Sequence, residues 1–446
     1  MRNTRRQFLH QSSQMAVAGA LLPGQLLSNP SQPPICSAAD TISVALIGCN
    51  SMGWADLTSM LRHPGIRCVA LCDVDQSVLD KRAGELAKLP GTLLDNSKPV
   101  LYNDFRKLLD NKNIDAVIIG TPDHWHCLPM VMACQAGKDV YVEKPLANSI
   151  EECNLMVAAA KKHQRIVQVG QWQRSGGHWK AAIDHVQSGK IGTVRTVKTW
   201  AYMPYGKTFP VLPDEPVPAG VDYEMWLGPA PQRPFNKNRF HGKFRYFWDY
   251  AGGLMTDWGA HMIDMALWGM KVTMPKSVVA MGGRFGFPDQ AGQTPDTMQA
   301  IYEFPDFTLQ WEQAIGIGQG PYNREHGVAF IGNLGTVVVD REGWELLPEA
   351  ENGQYLTPAM PRHERYGNDL DKHTLNFVDC VRSRQQPNAP VEVGRNVAVN
   401  AQLGNIAYRM GRKLNWDEAT QTVIGDGNAN DLVKAHYRSP WKLPIV

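Results

Sequence analysis

The sequence has none of the cysteine patterns that mark a zinc site or a disulfide framework. Its eight cysteines include no CxxC pair, and none has the spacing of a zinc-binding set. Several lie inside apolar runs such as residues 67–72, and this placement predicts buried thiols. His124 and His126 are two residues apart across a turn that Pro122 begins, but no third ligand is evident beside them. We therefore expect no metal site.

A strong charge of one sign is also missing. The chain has 45 Lys and Arg residues against 43 Asp and Glu residues, so its formal net charge is only +2. Without a broad basic field, nucleic acid is not the expected main partner. Beyond the N-terminal segment, no uncharged apolar run approaches the roughly 18 residues of a membrane-spanning helix, so we predict no membrane span. The length of 446 residues predicts two domains.

The N-terminal segment resembles a twin-arginine export signal. Residues 4–9 read Thr-Arg-Arg-Gln-Phe-Leu, a moderately apolar stretch follows over residues 15–27, and residues 37–39 offer small side chains for cleavage. We expect residues 1–39 to be a signal peptide and spacer, and the protein to be exported to the periplasm. The alternative interpretation is a chance arginine pair on a disordered tail.

Residues 40–171 alternate short apolar runs with helix-like stretches. Short strand–helix units of this kind predict a doubly wound parallel sheet, which is the α/β Rossmann fold. The predicted strands are residues 42–47, 68–72, 116–119, 139–142 and 166–169.

Residues 172–446 have a different pattern. Residues 194–202 alternate apolar and polar side chains, as a strand with one exposed face does. Further strands are predicted at residues 278–285, 297–304, 308–314, 327–331 and 336–339, and closing helices at 370–382 and 393–410. The pattern predicts an α+β domain with a large, mostly antiparallel sheet. An open face on that sheet would suit a homodimer or homotetramer.

A glycine-rich turn, Gly48-x-Asn50-x-x-Gly53, follows the first predicted strand and precedes a helix. Gly48 permits the tight turn, and Gly53 allows the helix to pack closely on the strand. The N–H groups at the helix start, contributed by Asn50, Ser51 and Met52, are suited to hold a pyrophosphate. Asn50 replaces the middle glycine of the usual pattern, and Asn tolerates the left-handed backbone expected there.

A carboxylate at the end of the second strand strengthens the interpretation as a dinucleotide site. Asp73 can accept hydrogen bonds from the adenosine ribose hydroxyls and would repel a 2′-phosphate. NAD is therefore favoured over NADP. Asp75 could share the role, and the alternative for Asp73 is a helix N-cap.

Three further motifs are present. Two follow predicted strands, at residues 121–126 (Thr-Pro-Asp-His-Trp-His) and 143–146 (Glu-Lys-Pro-Leu), and the third begins with a glycine pair at residues 252–261 (Gly-Gly-Leu-Met-Thr-Asp-Trp-Gly-Ala-His). Together with the glycine-rich turn, they resemble the Gfo/Idh/MocA oxidoreductase family, named in part for glucose-fructose oxidoreductase and inositol dehydrogenase. The resemblance covers essentially the whole chain after the N-terminal segment.

The resemblance implies roles for individual residues. Lys144 would contact the reacting hydroxyl and the cofactor, and the Pro145 that follows is often cis in the family. His261 would be the general acid/base, while Asp257 would bind or orient the substrate. The positions that line the cofactor would include Thr121, His126 and Glu143.

Elementary chemistry agrees with these roles. A hydride leaves a carbinol carbon only as the hydroxyl proton departs, so a base such as His261 is needed. The Lys144 ammonium suits the developing alkoxide. Asp257 and His261 are four residues apart, and on one helix both would face the cleft. The alternatives are a core or capping role for His261 and a surface position for Lys144.

Arg174, Tyr246 and Trp248 are the predicted substrate-binding residues. Arg174 can hydrogen-bond a polar substrate, and the aromatic pair can stack on a sugar ring. Structural packing roles would leave the same sequence pattern.

Three hypotheses for function follow. The first is an NAD-dependent oxidoreductase that oxidises or reduces a secondary hydroxyl of a sugar, cyclitol or glycoside. Because free dinucleotide is scarce outside the cytoplasm, its cofactor would be tightly bound and recycled. The second is an NAD-dependent glycosidase or lyase that acts through a transient keto-sugar, although the family's NAD-dependent glycosidases lack Glu-Lys-Pro at this turn. The third is a non-catalytic nucleotide- or sugar-binding protein.

Overall fold

Two sheets organise the protein, one wholly parallel and one mixed. The computed structural model describes residues 41–89, 98–204 and 209–446. The predicted export signal, at residues 1–39, lies outside the described residues. Ile42–Val446 forms one compact unit. The division into domains at residue 171 therefore stays a prediction.

The N-terminal sheet has six described strands in the order β3-β2-β1-β4-β5-β6, and all of its neighbouring pairs are parallel. The strands are β1 (Ile42–Ile47), β2 (Ile66–Cys72), β3 (Val100–Tyr102), β4 (Ala116–Ile119), β5 (Asp139–Val142) and β6 (Val167–Val169). The helices between them are α1 (Ser51–Met60), α2 (Gln76–Leu86), α3 (Phe105–Leu109), α4 (Cys127–Gln135) and α5 (Ile150–His163).

The central strands of this sheet are buried on both faces. Strand β4 has no exposed residue, because helices cover both sides of it. Val44, Leu46 and Tyr141 pack on the face that α1 covers, whereas Ala45 and Val140 pack on the face of α4 and α5. The predicted Rossmann fold is confirmed.

The second sheet has ten described strands, in the order β16-β13-β12-β11-β7-β10-β9-β8-β17-β18. Its strands are β7 (Val194–Met203), β8 (Ser277–Gly283), β9 (Thr297–Glu303), β10 (Thr308–Ile315), β11 (His326–Gly332), β12 (Gly335–Asp340), β13 (Gly343–Pro348), β16 (Met360–Glu364), β17 (Leu414–Asp417) and β18 (Thr422–Val423). A separate hairpin joins β14 (Ala350–Glu351) to β15 (Gln354–Tyr355).

The remaining described α-helices lie in the second half of the chain, and not all of them pack on the second sheet. They are α6 (Gly177–Gln187), α7 (Tyr223–Leu227), α8 (Gly253–Asp257), α9 (Gly259–Met270), α10 (Asp369–Ser383), α11 (Val391–Met410) and α12 (Gly427–Val433). The side chains of α9 and α11 join those of the strands in the largest buried apolar cluster. The prediction of a mostly antiparallel sheet is confirmed. Strands β7 and β10 are the exception and pair in parallel, which the long connection between them permits.

Candidate active site

An open cleft lies at the carboxyl ends of β1, β2, β4 and β5. Ligands bind at this edge in open α/β sheets, because the loops that follow neighbouring parallel strands meet there. One wall consists of these loops, and the facing wall includes His241, Phe244 and Arg245, which come from a 3₁₀ segment (His241–Tyr246). The cleft runs from Asp73 at one end to Lys144 and Asp257 at the other.

Three glycines bring the backbone of α1 against the strand ends. Gly48 has φ +84°, and a Cβ on it would lie 2.7 Å from the carbonyl carbon of Gly120. A Cβ on Gly53 would lie 2.3 Å from the Gly48 oxygen, and one on Gly120 would lie 2.4 Å from the Gly53 Cα. A larger residue has no room at any of the three positions. The contact places the N-terminus of α1 in the cleft wall, where a dinucleotide pyrophosphate fits.

The expectation of a left-handed backbone at Asn50 is wrong. Asn50 has φ −99° and ψ 165°, and the positive φ, 43°, belongs to Ser51. Asn50 is the N-cap of α1, and its Oδ1 accepts a hydrogen bond from the Ser51 N–H at 3.1 Å. An N-cap residue takes an extended backbone so that its side chain reaches the first helical N–H groups. Asn50, Ser51 and Met52 all line the cleft.

Asp73 lies at the adenosine end of the predicted nucleotide site. Its Oδ2 accepts a hydrogen bond from the Cys49 N–H at 2.8 Å, and its Oδ1 accepts one from the Asp75 N–H at 3.0 Å. Burial raises the pKa of the Asp73 carboxyl. The helix-capping role belongs to Asp75, which accepts from the Ser77 N–H at 2.9 Å and lies 3.2 Å from His241 Nε2.

At the other end of the cleft, Lys144 and Asp257 form an ion pair between the two halves of the chain. Lys144 Nζ lies 2.6 Å from Asp257 Oδ1 and 2.9 Å from the Asp257 backbone oxygen. Arg245 Nε lies 3.2 Å from Asp257 Oδ2. Burial alone would raise the pKa of Asp257, but Lys144, Arg245 and Arg341 outweigh it and lower that pKa. The Lys144–Pro145 peptide bond is cis, as the resemblance implied.

Two further carboxyls line the cleft beside this pair. Burial raises the pKa of Asp123 to about 7, although Lys144 and Arg245 oppose the shift. Burial also raises the pKa of Glu143 to about 7 against the effect of Lys144. Groups with a pKa near neutrality are suited to acid–base catalysis. Sequence reasoning gave Asp123 no role, although it stands in the motif at residues 121–126 that follows a strand.

His261 is buried behind the cleft wall. Asp257 ends α8 and His261 lies in α9, and Trp258, whose backbone is also right-handed helical, stands between the two short helices. The His261 ring packs 5.8 Å from the Trp172 ring, and among the described residues its Nδ1 has no hydrogen-bond partner. Burial, followed by Lys144, Arg341 and His326, lowers the pKa of His261 well below its ordinary value. The imidazole is therefore neutral.

Thr121 and His126 lie at the turn after β4. Thr121 lines the cleft, and within the described chain its buried Oγ1 has no hydrogen-bond partner. His126 lies behind the wall, with Nδ1 2.7 Å from the Pro145 oxygen and Nε2 2.9 Å from the Thr121 oxygen. It thus ties together two loops that line the cleft. His124 Nε2 contacts the Trp226 oxygen at 3.1 Å, and no metal-binding group of His, Cys, Asp or Glu occurs in the described ranges.

The three predicted substrate-binding residues do not belong to the cleft wall as the described residues form it. Arg174 forms a buried ion pair with Asp264, in which Nη2 and Oδ1 are 2.7 Å apart. The Tyr246 ring packs 5.4 Å from that of Phe209, and the Trp248 ring stacks 6.4 Å from that of Tyr408. These contacts hold the second half of the molecule together.

Sequence reasoning missed most of the facing wall. Met225, Trp226, His241 and Phe244 line the cleft from 80 or more residues beyond the Glu-Lys-Pro motif. They carry no recognisable motif, and only the folding of their segment onto the sheet edge identifies them. Trp226 is fixed there, because its backbone oxygen accepts a hydrogen bond from Trp125 Nε1 at 2.9 Å.

Two family models match the chain. Residues 42–171 match the oxidoreductase family with an NAD-binding Rossmann fold, and residues 187–281 and 355–443 match the C-terminal α/β domain of the same Gfo/Idh/MocA oxidoreductases. No described helix combines the length and the apolar character that crossing a membrane requires.

Several known proteins are similar to this chain. An uncharacterized oxidoreductase, YrbE, of Bacillus subtilis is 24% identical over 357 residues, which cover 77% of this chain and 88% of YrbE. A glycosyl hydrolase family 109 protein of Shewanella baltica is 30% identical over 162 residues, but the chain spans only 34% of that relative's length.

Solved structures share the fold at lower identity. An aldose-aldose oxidoreductase of Caulobacter crescentus aligns with a TM-score of 0.62 and 22% identity over 84% of this chain and 99% of that one. A myo-inositol 2-dehydrogenase of Lactobacillus plantarum aligns with a TM-score of 0.61 and 18% identity over 84% and 99% of the two chains.

Proposed function

Because the chain belongs to the Gfo/Idh/MocA oxidoreductase family, we propose that it is an NAD-dependent oxidoreductase that acts on a secondary hydroxyl of a sugar, cyclitol or glycoside. One observation carries the proposal. A single cleft joins the glycine turn and Asp73 at one end to the Lys144–Asp257 ion pair at the other. A dinucleotide laid along it would have its adenosine at Asp73 and its nicotinamide beside Lys144.

The residues present fit this cofactor. The contact among Gly48, Gly53 and Gly120 leaves the start of α1 open to the cleft, which suits the pyrophosphate. The Asp73 carboxylate suits the adenosine ribose hydroxyls and opposes a 2′-phosphate, so NAD is the proposed cofactor and NADP the weaker ligand. When bound, the nicotinamide accepts or donates the hydride.

The protein's own groups would handle the proton and the charge. The Lys144 ammonium, held by Asp257, stabilises the negative charge that develops on the substrate oxygen. Two groups are suited to take the hydroxyl proton: Asp123, which lines the cleft, and the neutral His261 behind its wall. Variants of each separate these roles.

We further propose that the cofactor stays bound between turnovers and that residues 1–39 direct export. The segment that carries His241 and Arg245 forms part of the facing wall of the cleft, and contacts hold it near both of its ends. His241 contacts Asp75 at 3.2 Å, and Arg245 contacts Asp257 at 3.2 Å. An enclosed, recycled cofactor would make the enzyme independent of a nucleotide pool outside the cytoplasm.

The sheet in the second half of the chain supports a homodimer or homotetramer. Val279 and Ile301 are register neighbours on β8 and β9, and Met281 on the same face is 77% exposed. An apolar patch on an open sheet face is suited to contact a second copy of the chain. Light scattering tests this proposal, and a monomer at micromolar concentration would contradict it.

A glycosidase that works through a transient keto-sugar is the second candidate. It is favoured by the glycosyl hydrolase family 109 relatives, 28–30% identical over 162 residues, and by an alpha-N-acetylgalactosaminidase of Shewanella oneidensis at 28% identity. A ketone acidifies the neighbouring C–H, which permits elimination of the glycosidic leaving group. Release of an aglycone without net NADH would support this candidate, whereas a ketone product with the glycosidic bond intact would exclude it.

The decisive experiment begins with the purified protein. Its nucleotide is released by denaturation and identified by mass spectrometry, and the protein is then screened against polyols and glycosides. We expect NAD and turnover of a polyhydroxylated substrate. Lys144→Ala should lose turnover while retaining nucleotide. Dinucleotide or sugar binding without turnover in the unmodified protein would favour the non-catalytic hypothesis. Intact turnover in Lys144→Ala would refute the catalytic role of Lys144, and the absence of any bound or binding dinucleotide would refute the proposal.

A further inference from the structure

Two buried carboxyls, one in the cleft wall and one behind it, have oxygens without a hydrogen-bond donor among the described residues. Asp56, on α1, is 0% exposed, and neither of its oxygens has a partner among the described residues. Glu143, which lines the cleft, is 5% exposed, and its Oε1 has no partner in the described part of the chain. The mechanism proposed above uses neither group.

The fold brings the two carboxyls to one place. Asp56 follows Gly53 by three residues, so it lies one turn further along the helix face that the glycine contact presses onto the sheet. Tyr141 and Glu143 are two residues apart and share the side of β5 that faces α1. The Glu143 carboxyl is held against Gly170, where a Cβ would lie 1.9 Å from Oε1.

The surroundings of the pair favour the protonated form of at least one of its carboxyls. The nearest ammonium, Lys144 Nζ, is engaged by Asp257. Tyr141 contributes a buried hydroxyl that also has no partner among the described residues. Burial, followed by the charge of Glu143, raises the pKa of Asp56 well above its ordinary value. Two neighbouring carboxylates in such a site cannot both be ionised without a large cost.

We propose that Asp56 and Glu143 form a proton-holding pair, which keeps the proton released from the substrate hydroxyl in one half of the redox cycle and returns it in the other. The proposal rests on the function proposed above. In the first half, the substrate C–H bond gives its hydrogen and electron pair to NAD⁺. The O–H bond gives its proton to the protein, and a ketone remains. In the second half, a second carbonyl takes up both the hydride and the proton, so the cycle needs no exchange with solvent.

Electrostatics supplies the coupling. The oxidised nicotinamide ring is cationic and favours an ionised carboxylate beside it, whereas the reduced ring is neutral. Glu143 lies next to Lys144 at the nicotinamide end of the cleft, so it should bind a proton more tightly when NADH replaces NAD⁺. Asp56, behind it, would hold the first proton and Glu143 the second.

The test measures protons rather than turnover. NADH displaces NAD⁺ from the full-length protein at pH 7 in weakly buffered solution, and a pH indicator reports the protons taken up. We expect uptake of about one proton per site in the unmodified protein. Glu143→Gln keeps the shape of the neutral acid but cannot exchange the proton, so it should reduce this uptake severalfold. Asp56→Asn mimics the proton that Asp56 already holds, so it should leave the uptake at Glu143 in place. An infrared NADH-minus-NAD⁺ difference spectrum should show a protonated carboxyl band that Glu143→Gln removes.

The matched control is Glu152→Gln, which removes a buried carboxyl that does not line the cleft and that Ser149 and Tyr437 hold, and it should leave the uptake in place. Equal proton uptake in the unmodified protein and in Glu143→Gln would overturn the proposal, as would loss of uptake in Glu152→Gln alone. If both nucleotides bind without a difference in protons, only this inference fails. If neither nucleotide binds, the proposed function fails with it.

Discussion

Replacing Lys144 with Met tests the assignment at its centre. The substitution keeps most of the apolar stem and removes the ammonium that lies 2.6 Å from Asp257 Oδ1. Removing one partner of a buried ion pair costs roughly 3–5 kcal/mol. Arg245 still contacts Asp257 at 3.2 Å, so we expect the free energy of unfolding to fall by only about 2 kcal/mol. Catalysis should suffer more. Loss of one stabilising charge at the reacting oxygen lowers kcat by roughly 10²–10³-fold.

Two assays separate these effects for Lys144→Met. Urea unfolding measures stability, and turnover of the substrate found in the screen measures catalysis at saturating NAD. The matched control is Lys180→Met, which breaks a surface ion pair. In that pair the side chain of Lys180 is 64% exposed and that of Asp184 is 58% exposed. Lys180→Met should lower the free energy of unfolding by less than about 0.5 kcal/mol and leave kcat unaltered. A Lys144→Met protein with kcat within about threefold of the unmodified protein would refute the role of the ammonium.

Three further predictions concern the close glycine contact at the start of α1, the carboxyl of Asp123 and the choice of cofactor. Gly120→Ala places a Cβ 2.4 Å from the Gly53 Cα, so it should lower the free energy of unfolding by about 1–3 kcal/mol and weaken NAD binding measured by fluorescence. The control is Gly84→Ala, whose Cβ meets nothing within 4 Å and which should lower neither stability nor NAD affinity. The pKa of Asp123 is raised to about 7, so its contribution to stability is complete below its unfolded pKa near 4 and is lost as the pH rises through 7. The stability of Asp123→Asn relative to the unmodified protein should therefore rise between pH 5 and pH 8, and the variant should be the more stable protein at pH 8. Urea unfolding that gives the same difference in stability at both pH values would contradict this. Asp73→Ser should shift the ratio of NAD to NADP affinity toward NADP by roughly tenfold, measured by titration, and an unchanged ratio would remove Asp73 from cofactor selection.

Local features of the fold could be predicted because local chemistry determines them. The buried strands of the first sheet are short apolar runs bounded by turns, and Gly48 and Gly53 stand where a tight turn and a close helix contact leave no room for a side chain. Lys144 directly follows a strand whose carboxyl end must lie at the ligand edge of a parallel sheet. Each of these relations involves residues that are close together in the sequence, so the sequence shows it directly.

Other features depended on contacts between distant parts of the chain. Asp257 lines the cleft, where it pairs with Lys144 from 113 residues earlier in the chain, whereas His261 packs behind the wall against Trp172. Arg174, predicted for the substrate, is engaged by the buried Asp264, a partner 90 residues away. The facing wall at His241–Tyr246 and the carboxyl pair of Asp56 and Glu143 have no local signature. The sequence alone therefore determined the nucleotide-binding half and its glycine turn, because local sterics and apolar periodicity govern them. Only the tertiary structure decided which charged side chains face one another, since that depends on burial and on the packing of segments far apart in the chain.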